Sequence, residues 1–179
     1  MPLIQHDSVL LASEPIKKTW WTLDIEGPDG VWPFPKDLDW QVRSIPSLQN
    51  QVTQIQVTDV NSILNIPGQK SSTNGEFVFH LYSSDKILRW WRKWFRLVYG
   101  DDSGSIGLYS DVVGQAKVNL WVPGGDCSPP ILNRTITLRD IWPTAITMDG
   151  MDREDDGSPL GYSVSLSIAD VAFDEGNGR

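Results

Sequence analysis

The chain has one cysteine in 179 residues, two histidines and no long apolar run. A lone thiol, Cys127, excludes an intrachain disulfide and gives no sign of an oxidising compartment. It lies in PGGDCSPP, a Pro/Gly-rich stretch, and reads as an unreactive turn thiol because reactive cysteines need an electropositive setting. No stretch approaches the roughly 20 apolar residues of a membrane span, and MPLIQHDSVLLASEPIKK has neither the basic lead nor the apolar core of a leader. The expectation is a chain without membrane insertion, made and kept in the cytosol unless it leaves inside an assembly. His6 falls in an N-terminal arm and His80 in an alternating segment, too far apart to suggest a triad or a metal site. No catalytic, cofactor-binding or metal-binding residue is nominated, and no cofactor is expected.

Basic charge is also in short supply. The net charge is −8, and the first hundred residues are balanced, so the acidic excess lies in the second half. Nucleic-acid binding needs clustered Lys and Arg to neutralise phosphates. The balance argues against DNA binding, though not against DNA passing by.

What is present is 40% hydrophobic residues with 10% aromatics, enough for one domain to close a core unaided. The divisions expected are an arm at 1–18, a β domain at 19–174 and a tail at 175–179. Alternation of period two marks strands at Thr19–Glu26, Leu38–Ser44, Gln51–Val60, Glu76–Tyr82, Ala116–Val122 and Leu132–Trp142. NSILNIPGQKSSTNG, between the third and fourth of these, reads as a long hairpin or loop, and PGGDCSPP as a hairpin turn. The last strand, Gly161–Phe173, puts Tyr162, Val164, Leu166 and Ile168 on one face and Ser163, Ser165 and Ser167 on the other; its phase slips near Ala169 and Asp170, where a bulge is expected.

One segment breaks the pattern. Ser84–Tyr99 begins with the capping types Ser84 and Asp85 and stops at Gly100, a suitable C′ residue, so a helix is expected. Ile87, Trp91, Trp94, Phe95 and Val98 share one face, and Arg89, Arg92, Lys93 and Arg96 gather opposite. The apolar face reads as core. A basic, Trp-rich helix also fits membrane-active or calmodulin-target segments, but lying between well-formed strands it reads better as a packed element with a solvated or docking face.

Two loops resemble ligand motifs and fall short of them. From Asp152 an EF-hand register places Glu154, Asp156 and Gly157 correctly but Ser163 where the bidentate Glu belongs. GDDSGSIG lacks the Gly-Lys-Ser/Thr ending of a phosphate loop. Read from composition alone, three classes stay open: a structural assembly protein, a sugar-binding β-sandwich using some of the nine tryptophans, and a small β-barrel enzyme.

The stretch from Ile136 to Phe173 places a strand, the step Trp142-Pro143-Thr144, an acidic loop and a long closing strand in order. It resembles the C-terminal signature of contractile-tail (myovirus-type) phage tail tube proteins, and the element order matches that family over residues 19–174. VRSIPSL stands at the family's Pro step; the PFPKD insertion near Trp32 and the Trp-rich helix depart from it. The resemblance implies a mainly β (α+β) fold: two packed antiparallel sheets forming a sandwich or barrel, one flanking amphipathic helix and a long inter-ring hairpin. It further implies homohexameric rings stacked into a hollow conduit for DNA ejection, in a virion tail assembled in the bacterial host cytoplasm. The alternative within the resemblance is a tube initiator of the baseplate. Implied partners are copies of itself, sheath, baseplate and tail-terminator proteins, with tape measure protein and phage DNA passing through the lumen. Gln51, Gln54, Ile63, Ile66 and Lys70 are the implied ring-to-ring residues, and Arg89, Arg92, Lys93 and Arg96 the implied sheath or baseplate contact. Gln56, Thr58, Ser163, Ser165 and Ser167 are the lumen candidates.

Overall fold

The computed structural model describes residues 20–29, 31, 33–36, 41–49, 51–59, 62–100, 104–123, 129–151, 157 and 159–174. The N-terminal arm with His6, Cys127 and the 152–156 part of the acidic loop lie outside the described residues. In chain order the elements are β1 (Trp21–Glu26), β2 (Val42–Ser44), β3 (Gln51–Asp59), β4 (Ser62–Ser71), β5 (Thr73–His80), α1 (Lys86–Val98), α2 (Tyr109–Val112), β6 (Gly114–Val122), β7 (Ile131–Met148) and β8 (Gly161–Phe173). Six strands form one antiparallel sheet in the order β1-β6-β7-β8-β5-β2. The second sheet is the β3-β4 hairpin itself.

The period-two pattern explains the core. Leu23 and Ile25 of β1, Ala116 and Val118 of β6, Phe77 and Phe79 of β5, and Tyr162, Val164, Leu166 and Ile168 of β8 are all buried on one side of the large sheet. α1 covers that side through Ile87, Leu88, Trp90, Trp91 and Trp94. Trp91 and Trp94 stack at 5.4 Å and 6°, Trp90 stands edge-on to both, and Phe34 meets Trp90 edge-on at 5.2 Å. Each such ring buries about 150–250 Å², so the cluster dominates the apolar burial that fixes the helix to the sheet. Trp94 is also tied by its Nε1, which donates to the Val112 carbonyl at 2.7 Å. Gly114 allows this approach, since a Cβ there would sit 2.8 Å from the Trp94 ring.

Several sequence expectations are corrected. α1 spans Lys86–Val98, and its stripe is centred on Trp90 and Trp91, leaving Phe95 and Val98 half-buried. Asp85 occupies the N-cap in a left-handed conformation (φ 37) without a side-chain cap; its carboxylate instead accepts from Arg89 Nε at 2.8 Å and Nη2 at 2.6 Å. The helix ends on extended Tyr99, which bridges Ile106, and Gly100 does not take the positive φ expected of a C′ glycine. A single helical turn, α2, had no sequence signal of its own.

The Trp-Pro-Thr step is not a strand exit. β7 runs through it to Met148, with Pro143 buried. A proline inside a central strand needs a bulge, and the β7–β8 register indeed shifts between Pro143 and Ala145. Thr144, the extra residue, donates from Oγ1 to the Ser165 carbonyl at 3.1 Å where the ladder is interrupted. The bulge expected near Ala169 and Asp170 is absent, because pairing stays in register there, Ile141 to Ile168 and Arg139 to Asp170. The phase slip is nonetheless present: burial passes from Ile168 to Val171 on β8 and from Leu138 to Ile141 on β7, where Asp140 adopts φ 50. Both strands change phase together, so their mutual pairing needs no extra residue; on its other side β7 bulges against β6, where the register shifts between Gly114 and Ala116.

Tyr162 is a buried ring stacked on Phe79 at 5.1 Å, yet its hydroxyl has no partner among the described residues, and burial pushes its pKa well up. An unpaired buried hydroxyl costs about 1–3 kcal/mol. Tyr162→Phe is therefore expected to raise the urea or thermal midpoint, whereas a drop would show that the hydroxyl is satisfied.

Candidate assembly surfaces

The core occupies one side of the six-stranded sheet; the other side is mixed, with hydroxyls and amides beside Glu76, Trp142 (opposite Ser167), Val78 (opposite Ser163) and Trp121. Cross-strand rows there read Thr22-Asn119-Thr135 on β1, β6 and β7, and Glu76-Ser165 and Asn74-Ser167 on β5 and β8. Thr135 Oγ1 donates to Asn119 Oδ1 at 2.9 Å, and Trp121 Nε1 donates to Thr22 Oγ1 at 3.0 Å. Lys117 stands opposite Asp24 in the ladder, and Asp24 is ion-paired with Lys36 at 2.8 Å. Ser163, Ser165 and Ser167 are half-buried members of this face. Gln56 and Thr58, expected to line the same surface, belong instead to the hairpin sheet.

The hairpin is the most unusual surface. At about 3.3 Å per residue, its strands reach roughly 30 Å. Ile55 opposes Ile66 and Val57 opposes Leu64 on one face; Gln54 opposes Pro67, Gln56 opposes Asn65 and Thr58 opposes Ile63 on the other. Every one of these side chains is exposed, including Leu64 at 59% and Ile63 at 67%. So many exposed aliphatics on a two-stranded ribbon mark an interaction surface. Of the implied ring-to-ring residues, Gln54 and Ile63 share one face and Ile66 lies on the other. The Gln51 side chain is outside the described residues. Lys70 sits at the hairpin root and pairs with Asp170 of β8. The apolar face was missed in the sequence because QVTQIQVTDV reads as a Gln/Thr strand; the signal was its partner, SILNI, once the two are put in register.

On α1, Arg89 is engaged by Asp85, Lys93 is half-buried, and Arg92 and Arg96 are exposed on the side away from the sheet. The four cations therefore share a helix side but not one environment. A groove of about 680 Å³, also without sequence signal, lies between Glu26–Asp29, α2 and the Arg139–Asp140 kink. Gln115 Nε2 donates to Glu26 in its wall. Among the described residues, no three His, Cys, Asp or Glu side chains converge as for a metal. Among the described residues, too, no helix is long and apolar enough to cross a membrane.

No protein-family model and no curated protein matches the sequence. Solved structures do match. A chain of the PVC sheath-tube complex, from an extracellular contractile injection system in the extended state, superposes with a TM-score of 0.65 at 18% identity, over 94% of this chain and 97% of that one. A chain of the anti-feeding prophage baseplate, 6-fold symmetrised, gives 0.61 at 13% identity over 90% and 96%. The SPP1 tail tube gives 0.51 at 11% identity over 89% and 78%. The chain has the tail-tube fold. At these identities the likeness is one of fold, and it spans nearly the whole of this chain.

Proposed function

We propose that this chain is a structural subunit of the tube of a contractile tail or injection particle, assembling six to a ring, with rings stacked into a hollow conduit. The observation that carries the reading is the tail-tube fold with one sheet face outside the core and rich in hydroxyls and amides. A lumen wall must be polar without holding its contents, and short neutral side chains meet that need. Cations there would retain DNA by counterion release, and on this face Lys117 stands among the acids Asp24 and Glu76. DNA, and the tape measure protein before it, are the contents this reading assigns to the lumen of a phage tail. The hairpin serves the ring-to-ring seam, because its exposed aliphatics need cover. Arg92 and Arg96 face outward toward sheath or baseplate protein, where each exposed ion pair is worth only about 0–1 kcal/mol, which suits a sheath that must later let go.

A baseplate tube initiator is the second reading, favoured by a likeness to a baseplate chain nearly as extensive as that to the sheath-tube complex. Negative-stain microscopy with light scattering on the purified protein tests both. Six-fold rings or tubes are the expected result. Rings that polymerise unaided mark the tube subunit, and rings that do not stack mark the initiator. A protein that stays monomeric at high concentration, alone and with baseplate components, would overturn the reading.

A further inference from the structure

We propose that the β3-β4 hairpin is an arm whose bearing on the subunit is set by an electrostatic latch, the Asp170 carboxylate of β8 gripping Lys70 of β4 with Arg139 of β7 behind it. The hairpin's described side chains from Val52 to Thr58 and from Ile63 to Pro67 are exposed on both faces, so no apolar core anchors it to the large sheet. At its root, Thr73 Oγ1 donates to the Gln49 carbonyl at 3.2 Å, which ties the two crossings of the chain to each other. The Lys70 pair is different in kind, because it ties the hairpin sideways to β8.

The place of Asp170 in the fold supports this role. The last pair between β5 and β8 is Thr73 with Ile168. Asp170 therefore lies just past the point where β5 leaves β8, and Lys70, three residues before Thr73, spans that gap. Ile168 and Val171 are both buried, which leaves Asp170 between them, one-third exposed, beside the hairpin root. Regular alternation from Ile168 would instead place residue 170 in the core. The shared phase slip of β7 and β8 thus presents a carboxylate where the hairpin crosses.

Two cations face that carboxylate from the elements around it: Lys70 from β4, and Arg139 from β7 with Nη1 4.0 Å from the second oxygen. The hydrogen bond from Lys70, and to a lesser degree the charges of Lys70 and Arg139, hold the Asp170 carboxyl below the usual carboxylate range. A depressed folded-state pKa means the stabilisation is complete above the unfolded value and is lost as pH falls through the folded one. The latch is closed at neutral pH, opens in acid and loosens in salt. It is a property of the isolated chain and stands whether or not the chain builds a tube.

Spin labels at Thr58→Cys and Arg92→Cys, in a Cys127→Ser background, report the distance from hairpin to α1 by pulsed electron resonance. In the parent, a single narrow distribution is expected at neutral pH and low salt. Asp170→Asn and Lys70→Met should each broaden it, raising the population outside the main peak about fivefold, the most a partly exposed pair supports. Salt at 1 M, where the screening length is about 3 Å, should do the same without any substitution, so the test survives a variant that fails to fold. A distribution unmoved by salt, or by substitution in a folded variant, would overturn the latch.

Discussion

Replacing Trp94 by alanine is expected to cost about 3–5 kcal/mol, the range for deleting a fully buried aromatic. The ring has no exposure, stacks on Trp91, meets Trp90 edge-on and packs against the Gly114 backbone. Its loss also strips the Val112 carbonyl of a donor at 2.7 Å. Since a domain of this kind has about 5–15 kcal/mol in all, the variant should lose about a fifth of its stability or more, read as a midpoint about 10 °C lower. Trp94→Phe separates the two causes. It keeps most of the apolar contact and removes only the N–H, so it should fall between parent and alanine. If both variants melted with the parent, α1 would not be fixed to the sheet as described.

The second large effect concerns assembly and leaves the fold alone. The double variant Ile55→Lys with Leu64→Glu places a diagonal pair of opposite charges on the apolar hairpin face, where the strands tolerate them and a dry seam does not. Both residues are exposed, Ile55 at 50% and Leu64 at 59%, so the midpoint should stay within about 0.5 kcal/mol of the parent. Covering one such aliphatic is worth about 1.5–3 kcal/mol. Only about half of each side chain remains to be covered, so on the tube reading losing two weakens each ring-to-ring contact by at least about tenfold at 1.4 kcal/mol per tenfold. Sedimentation should then show isolated rings or monomers where the parent gives tubes. Tubes of normal length from the double variant would remove the hairpin face from the seam.

What the residues revealed in advance follows from which signals are local. The alternation in Gly161–Phe173 fixed that strand to the residue, since burying Tyr162, Val164, Leu166 and Ile168 on one face leaves the serines no other place. The tryptophans of α1 announced a core helix in the same way. Features set by a partner strand were not legible. β7 continues through Pro143 because Thr144 and Ser165 repair the ladder, and nothing near Trp142 shows that Ser165 lies opposite. The end of α1 falls where expected, with Tyr99 as C-cap and Gly100 after it, but the pairing of Tyr99 with Ile106 supplies the stop without a positive φ at Gly100. The hairpin was foreseen as a hairpin, but its two-sided character depends on register, which put Ile55 beside Ile66 and Gln56 beside Asn65. Lys70 looked like a surface contact until Asp170, a hundred residues away in sequence, was found beside it.

The hairpin leaves the sheet at the end where β5 begins, and the opposite end carries other exposed apolar residues, Met151 at 77% and Tyr82 at 40% among them. A subunit with such unlike ends has a direction, and any linear polymer of it inherits one. Growth at the hairpin-bearing end and growth at the bare end are different reactions with different on-rates. A protein that starts the polymer cannot also stop it, because each meets a surface the other never sees. A free hairpin peptide added to growing polymer would poison one end and leave the other running.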